Sequence, residues 1–350
     1  MPEFSDTYSA KHVYLFSLTY TQYIIDYQLF HVKYTLRIKY IILQNYILSL
    51  HLLIIKFMTT RRSFIKTSAI LSAGMLVAPD LFAYDKKYIG LQLYTVRDAM
   101  QKDPATTLAK VAQTGYTSVE GTYSGPGKFH NIDTKAFSAL LKQNGLIMPS
   151  CHYRLGEEKV NGQVQDGTIL SGWDRAVDDA AELGLKYMVC AYLSAAERGT
   201  LEHYKKVAAD FNKAGERCKK AGIQLCYHNH DFEFILEDGK YPYETLLNNT
   251  DKNLVKMEMD MYWVTKANQD PIALIDNHPG RFPLWHIKDL DKTPERMFTE
   301  VGNGVINFKE IFKHTEKASL KYFFVEQDKC PGDPFVSIAE SITYIKKNLV

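Results

Sequence analysis

Residues 255–263 read Val-Lys-Met-Glu-Met-Asp-Met-Tyr-Trp, a run in which apolar and polar side chains alternate. Successive residues of a β-strand face opposite sides, so the run predicts a strand with two distinct faces. Val255, Met257, Met259 and Met261 share one face, which is suited to packing beneath helices. The other face carries Lys256, Glu258, Asp260 and Tyr262. If the strand belongs to a barrel, this polar face points toward the barrel axis.

The rest of the chain from residue 88 onward repeats the same alternation of short strands and longer amphipathic stretches. Short β-branched or aromatic runs separated by such stretches are typical of parallel strands with crossover helices. The predicted strands are residues 89–97, 117–121, 147–153, 187–192, 223–230, 255–263, 282–289 and 321–328. Eight strand-helix pairs within roughly 250 residues predict a (β/α)8 TIM barrel over residues 88–350.

The first 87 residues have a different character. Residues 1–57 are crowded with Ile, Leu and Tyr without helical or strand periodicity, and we expect them to be an upstream extension that is not native to the protein. Residues 58–83 open with Met-Thr-Thr-Arg-Arg-Ser-Phe-Ile-Lys and continue into a short apolar run, a layout that resembles a twin-arginine signal peptide. The sequence thus predicts export to the periplasm, with a short membrane anchor as the alternative. We expect no stable membrane span in the mature protein, because the run is shorter than the usual span of about 20 residues.

Charge and cysteine content narrow the class of partner. Forty-two Lys and Arg against forty Asp and Glu give a formal net charge of +2, so we expect no nucleic acid as the main partner. The five cysteines lack a paired spacing, which indicates neither a disulfide framework nor a zinc knuckle. The sequence leaves the oligomeric state open.

Carboxylates and imidazoles converge at the ends of the last four predicted strands. Counting alternate positions places on the axis side His228, His230, Asp260, His286, Lys288, Glu326 and Asp328. The active sites of such barrels lie at the strand ends and in the loops after them. Mixed oxygen and nitrogen donors from several strands predict a site for one divalent metal ion: Mn²⁺, Mg²⁺, Co²⁺ or Zn²⁺.

Five stretches together give the barrel its family resemblance. They are residues 227–234 (Tyr-His-Asn-His-Asp-Phe-Glu-Phe), 258–263 (Glu-Met-Asp-Met-Tyr-Trp), 284–289 (Leu-Trp-His-Ile-Lys-Asp), 301–304 (Val-Gly-Asn-Gly) and 325–328 (Val-Glu-Gln-Asp). With them, the region from residue 88 to residue 350 resembles the xylose isomerase-like family, also called the sugar phosphate isomerase/epimerase or endonuclease IV-like superfamily.

The resemblance implies a metal site and a set of catalytic residues. Its implied metal ligands are Glu233, Asp260, His286 and Glu326. Glu233 lies beyond the predicted end of its strand, so His228 or His230 is the alternative fourth ligand. The two glutamates form the implied acid/base pair. Lys288 is a candidate donor to a substrate oxyanion, and His152 is a candidate proton relay.

Other strand-end residues are candidates for substrate binding. Glu120, His228 and His230 could bind hydroxyl groups. Tyr94 and Trp263 could form an apolar wall against a sugar ring, although core packing is the usual role of an aromatic residue.

The resemblance implies an enzyme that removes a proton beside a carbonyl and stabilises the resulting enediolate with the metal ion. We therefore predict a sugar isomerase or epimerase whose substrate is a sugar, keto-sugar or glycoside. A lyase that expels the aglycone from 3-keto-glycosides is the alternative, since elimination uses the same base and metal. A sugar-binding protein without catalysis and an abasic-site endonuclease are further alternatives. Charge and the export signal argue against the endonuclease.

Overall fold

Eight parallel strands close into a barrel in the computed structural model, which describes residues 88–156, 159–160 and 162–350. They are β1 (Gly90–Gln92), β2 (Ser118–Gly125), β3 (Ile147–Tyr153), β4 (Tyr187–Cys190), β5 (Gln224–His228), β6 (Val255–Asp260), β7 (Leu284–Ile287) and β8 (Tyr322–Val325). Each strand pairs in parallel with the next, and β8 pairs with β1. The predicted (β/α)8 barrel is confirmed. The predicted extension and signal peptide, residues 1–57 and 58–83, lie outside the described residues.

Helices come after the strands and form the outer layer. They are α1 (Arg97–Lys102), α2 (Pro104–Thr114), α3 (Thr134–Gln143), α4 (Trp173–Leu183), α5 (Leu201–Lys220), α6 (Pro242–Asn249), α7 (Met261–Lys266), α8 (Pro271–Asn277), α9 (Phe308–Ile311), α10 (Thr315–Ala318) and α11 (Pro334–Asn348). Local sequence explains their ends: Asp103 caps the first turn of α2 by accepting from Thr106 N, and Gly115 comes after it at φ 107°. Across the described part of the chain, no helix is both long and apolar enough to cross a membrane.

Six of the eight strands end earlier than the alternation of side chains predicted, whereas β3 ends at the predicted residue and β2 continues to Gly125. β6 ends at Asp260, whose Oδ1 accepts from Trp263 N at 3.1 Å and so caps α7. Tyr262 is therefore helical, and its hydroxyl donates to the carbonyl of Arg296 at 2.9 Å rather than facing the axis. β5 likewise ends at His228, which leaves His230 in the next loop. Side chains alternate between the two faces of a strand only while the backbone stays extended.

The barrel interior is layered along its axis. A small apolar cluster of Val189, Cys226, Leu284 and Phe324 fills one level and is separate from the core between strands and helices. Two residues further along β5 and β7 come His228 and His286, and Glu326 comes directly after the end of β8. A polar layer thus lies above the apolar one, at the carboxyl ends of the strands.

The buried carboxylate of Asp289 stabilises the loop after β7 through hydrogen bonds to its backbone. Asp289 accepts hydrogen bonds from the backbone N–H groups of Leu290, Gly302, Gly304 and Ile306, at distances between 2.8 and 3.1 Å. A Cβ on Gly304 would lie 2.2 Å from Asp289 Oδ1, so only glycine permits this approach. The Val-Gly-Asn-Gly stretch, residues 301–304, therefore has a structural role here.

Candidate active site

Four side chains from four strands meet at the carboxyl end of the barrel. We call His228, Asp260, His286 and Glu326 the outer cluster: each offers a ligand atom, and these atoms lie within 4.8 Å of one another. All four are at most 5% exposed. Two imidazoles and two carboxylates are a donor set that Zn²⁺, Mn²⁺ or Co²⁺ accepts, so the residues fit a divalent metal ion. The structure brings together three of the four predicted ligands.

Glu233, the fourth ligand that the resemblance implied, lies outside the outer cluster, where β5 contributes His228, one of the two alternatives predicted from the sequence. The Glu233 carboxylate accepts from the hydroxyl of Tyr227, a residue of the outward face of β5, and from His230 N at 2.9 Å. It belongs to neither group of possible ligands found among the described residues. The chain turns after β5, which carries Glu233 to the outer side of the strand. Burial raises the pKa of Glu233 to about 7.

Lys288 neutralises three carboxylates beside the outer cluster. Its Nζ lies 2.9 Å from Asp260, 2.6 Å from Glu326 and 2.9 Å from Asp328. Burial opposes the charge of Lys288, but the three carboxylates outweigh it and hold the pKa of Lys288 well above its usual value. Burial likewise raises the pKa of Glu326, but Lys288 and His286 outweigh burial and lower it. Glu326 is therefore ionised at neutral pH.

Two further glutamates, Glu120 on β2 and Glu258 on β6, lie beneath the outer cluster and are fully buried. We call them the inner carboxylates. His152 joins them: its Nε2 is 2.9 Å from Glu120 and 3.0 Å from Glu258. Gln92 Nε2 also donates to Glu120, at 2.8 Å, and Ser150 Oγ donates to its other oxygen.

The inner carboxylates and His152 titrate away from their ordinary ranges. Burial opposes the charge of His152, but Glu120 outweighs it and raises the pKa of His152 to about 9. Burial, reinforced by repulsion from Glu120, raises the pKa of Glu258 to about 7. His152 is therefore charged at neutral pH and balances the carboxylates on either side of it.

A cavity of about 500 Å³ opens over the outer cluster. Of the predicted substrate and relay residues, His152, His228, His230 and Tyr94 line it, together with Lys288 and Glu326. Tyr94 and Tyr192 are almost half exposed at this cavity.

Two predicted substrate residues do not reach the cavity. Glu120 lies beneath it. Trp263 is not among its lining residues and instead packs against the His230 ring, with centroids 5.3 Å apart. The wall predicted from Tyr94 and Trp263 is thus reduced to Tyr94.

Sequence reasoning assigned no role to Glu258, Gln92 or Tyr192. Glu258 was placed on the axis face, and its position two residues before Asp260 was the available signal. Gln92 lies between two leucines in a predicted buried strand, which is an unusual place for an amide and could have drawn attention. Tyr192 ends the predicted strand 187–192, and that position was its available signal; in the structure it lies in the loop after β4.

Comparison with known proteins agrees with this architecture. The model of the family described as xylose isomerase-like TIM barrel matches residues 108–347, so the chain belongs to this family. A sugar phosphate isomerase/epimerase structure from Parabacteroides distasonis is 30% identical, with a TM-score of 0.64, and the match covers 75% of this chain and 95% of that one. A zinc-bound IolI protein shares the fold at 16% identity and a TM-score of 0.57, and the match covers 75% of this chain and 96% of that one.

Curated relatives match a smaller part of the chain. Inosose dehydratase of Clostridium beijerinckii is 26% identical over 165 residues, which are 42% of this chain and 55% of that protein. The inosose dehydratase of Serratia proteamaculans is 24% identical over 196 residues, 47% of this chain and 66% of that protein. The chain therefore spans between about half and two thirds of the length of these relatives.

Proposed function

We propose that this chain is a divalent-metal-dependent enzyme that removes a proton from the carbon beside the carbonyl group of a keto-sugar or keto-cyclitol, and that the outcome is elimination of an oxygen substituent. The donor set of the outer cluster and the cavity above it support this proposal. Relatives named inosose dehydratase and sugar phosphate isomerase/epimerase support it as well. Dehydration and epimerisation of a keto-sugar can both begin with proton removal beside the carbonyl, and they differ in the fate of the resulting enediolate.

The outer cluster would hold the metal ion. A divalent cation bound there would act as a Lewis acid on the carbonyl oxygen of the substrate. Burial raises the pKa of Asp260 and Lys288 opposes that rise; Lys288 also holds the carboxylates of Asp260 and Glu326 close together where a cation would bind.

Glu326 is the proposed base. It lines the cavity, and its lowered pKa keeps it ionised at neutral pH. His152 is the proposed acid for the departing oxygen, because it also lines the cavity and carries a proton at neutral pH. Lys288 has one carboxylate for each of its three N–H donors, so it would hold Glu326 in place beside the substrate rather than donate to a substrate oxygen.

The observation that favours elimination is the identity of the β5 residue in the outer cluster. Epimerisation by two carboxylates needs one on each side of the substrate carbon. Here β5 contributes His228, and Glu233 is buried on the outer side of that strand. Elimination needs one carboxylate base and an acid for the leaving group, which Glu326 and His152 supply.

The test compares product release with solvent exchange. The metal-loaded protein is incubated in D2O with an inosose and with a 3-keto-glycoside, and NMR tracks deuterium at carbon while absorbance tracks the unsaturated ketone. We expect loss of water or aglycone with wild-type protein and none with Glu326→Gln. Deuterium exchange with the substituent retained would support epimerisation instead, the outcome suggested by the isomerase/epimerase relative. Binding without either signal would exclude both reactions.

We also propose that the protein is exported and that Met58 is its true start. The twin-arginine layout of residues 58–83 supports this proposal. Mass spectrometry of the mature protein from its native host should find an amino terminus after residue 83. A mature chain that begins near Met1 would contradict it.

A further inference from the structure

We infer that the inner carboxylates, Glu120 and Glu258, determine which ring nitrogen of His286 and His228 faces the outer cluster. They act as positioning residues for the two imidazole ligands and do not form a second cation site. This inference rests on the proposed metal site but not on the proposed reaction.

His286 lies between two carboxylates on opposite sides of its ring. Its Nε2 is 2.6 Å from Glu120 Oε2, and its Nδ1 is 2.8 Å from Glu326 Oε2. An imidazole that binds a metal carries one proton, and a carboxylate can only accept it. With a cation in the outer cluster, Glu120 would therefore keep the proton on Nε2, and the lone pair of Nδ1 would point at the cation.

His228 is held in the opposite sense. Its Nδ1 is 3.0 Å from Glu258 Oε2, and its Nε2 is 3.5 Å from Asp260 Oδ2. Glu258 keeps the proton on Nδ1, so the lone pair of Nε2 points toward the outer cluster. Neutral histidine has two tautomers of similar energy in water, and a wrong tautomer would direct an N–H group at the cation.

The inner carboxylates are well placed for this role because their own positions are fixed. Glu120 accepts from Gln92 and Ser150, and His152 bridges it to Glu258. Glu258 lies on β6, between the strands that carry His228 and His286, and its Oε2 is also 3.3 Å from His286 Nε2. A histidine between two carboxylates fixes their spacing, which in turn fixes both imidazole rings.

The same region contains a second group of possible ligands: His152, His228, Glu258 and His286. A cation in that group would use the ring nitrogens that already face Glu258 and Glu120. If both groups were occupied, His228 and His286 would each have to bridge two cations and lose the protons that the inner carboxylates accept. The hydrogen-bond pattern favours the simpler arrangement, with one cation per chain.

The experiment measures metal binding and histidine tautomers, without turnover. Zn²⁺ is the probe. Its affinity is measured by competition with a chelator, and its stoichiometry by elemental analysis. The proteins compared are wild type, Glu120→Met, Glu258→Met and Glu258→Gln. Loss of a carboxylate partner of a metal-binding histidine typically weakens binding by about 10- to 100-fold. We expect that loss in both Met variants and a smaller one in Glu258→Gln, whose amide oxygen can still accept.

Two controls separate positioning from stability. Asp179→Asn alters another buried carboxylate, which accepts from Tyr123 and Gly127 N, and should leave the Zn²⁺ affinity unchanged. Histidine-selective ¹⁵N NMR of the metal-free protein should show the Nδ1–H tautomer of His228 in wild type and its loss in Glu258→Met. Circular dichroism confirms that each variant is folded.

Unchanged affinity and an unchanged His228 tautomer in folded Glu258→Met would overturn the inference. So would two Zn²⁺ ions per wild-type chain with one lost in that variant. If wild type binds no Zn²⁺ while the tautomers behave as expected, the proposed metal-dependent function fails and the positioning role stands.

Discussion

Replacement of Glu233 by Gln should change how the stability of the protein depends on pH. Burial raises the pKa of this carboxyl group from about 4.5 to about 7, and the hydrogen bonds from Tyr227 and His230 N only partly oppose burial. The folded protein therefore keeps a proton that the unfolded chain releases between these values. In that window the free energy of unfolding falls as pH rises, and above pH 7 the full cost of ionising the buried group is present.

The size of the effect comes from the difference in pKa. A pKa difference of roughly 2.5 corresponds to about 3 kcal/mol in the free energy of unfolding. About 2 to 3 kcal/mol of this should be lost between pH 5 and pH 8. Glu233→Gln has no proton to lose, so this contribution should be absent from it. Urea unfolding of the EDTA-treated proteins at both pH values measures the free energies, and the difference between the two proteins isolates Glu233. Parallel pH dependences in wild type and variant would refute the reasoning.

The same variant tests the replacement of Glu233 by His228 in the outer cluster. Because the Glu233 carboxylate lies on the outer side of β5, Glu233→Gln should bind Zn²⁺ as tightly as wild type. His228→Ala removes a proposed ligand and should lose most of the affinity. If instead Glu233→Gln lost affinity as His228→Ala does, Glu233 would be the ligand that the family resemblance implied.

Asp289→Ala should lower the free energy of unfolding by about 3 kcal/mol or more, measured in urea, because four backbone N–H groups lose their charged acceptor; a loss under about 1 kcal/mol would contradict the role of the carboxylate in fastening the loop. Gly90→Ala should destabilise the protein by about 1 to 3 kcal/mol. The added Cβ would lie 2.4 Å from a ring carbon of Phe324 and 2.5 Å from the carbonyl oxygen of Phe323. An unchanged melting temperature would contradict this close contact between β1 and β8. Lys288→Met should lower the free energy of unfolding of the metal-free protein by about 3 to 5 kcal/mol. The loss should be smaller in the Zn²⁺-loaded protein, because the cation replaces the lost positive charge. Equal losses in both forms would argue against metal binding beside Lys288. Treatment with EDTA should abolish turnover and lower the melting temperature, and added Zn²⁺, Mn²⁺ or Co²⁺ should restore both; full activity after complete metal removal would exclude the proposed chemistry.

The strands themselves could be predicted because buried parallel strands need apolar runs, and the helices between them need amphipathic ones. Within a strand, alternation also predicted which side chains share the axis. Asp260 and His286 lie inside their strands, and Glu326 comes directly after β8, so all three meet as expected. Tyr262 and Glu233 lie past the ends of β6 and β5, where the backbone is no longer extended. Alternate residues there no longer share one face, so alternation does not predict the direction of their side chains.

The inner carboxylates show a different limit. Glu120 and His286 are separated by 166 positions in the chain, yet their side chains are 2.6 Å apart. No local pattern in the sequence pairs them, because their contact depends on the register of strands around a closed barrel. Counting alternate residues predicted that Glu258 lies on the axis face. It could not predict which ring nitrogen of His228 contacts Glu258.

By itself, the sequence determined the number and direction of the strands, the polar end of the barrel and three side chains of the outer cluster, and it left His228 as one alternative for the fourth. Those features depend on local periodicity, which each strand carries in its own residues. Only the tertiary structure decided that His228 rather than Glu233 completes the cluster and that Glu120 and Glu258 hold the two imidazoles. These contacts depend on where the chain turns after each strand and on how distant strands align, and both are set by packing across the whole barrel.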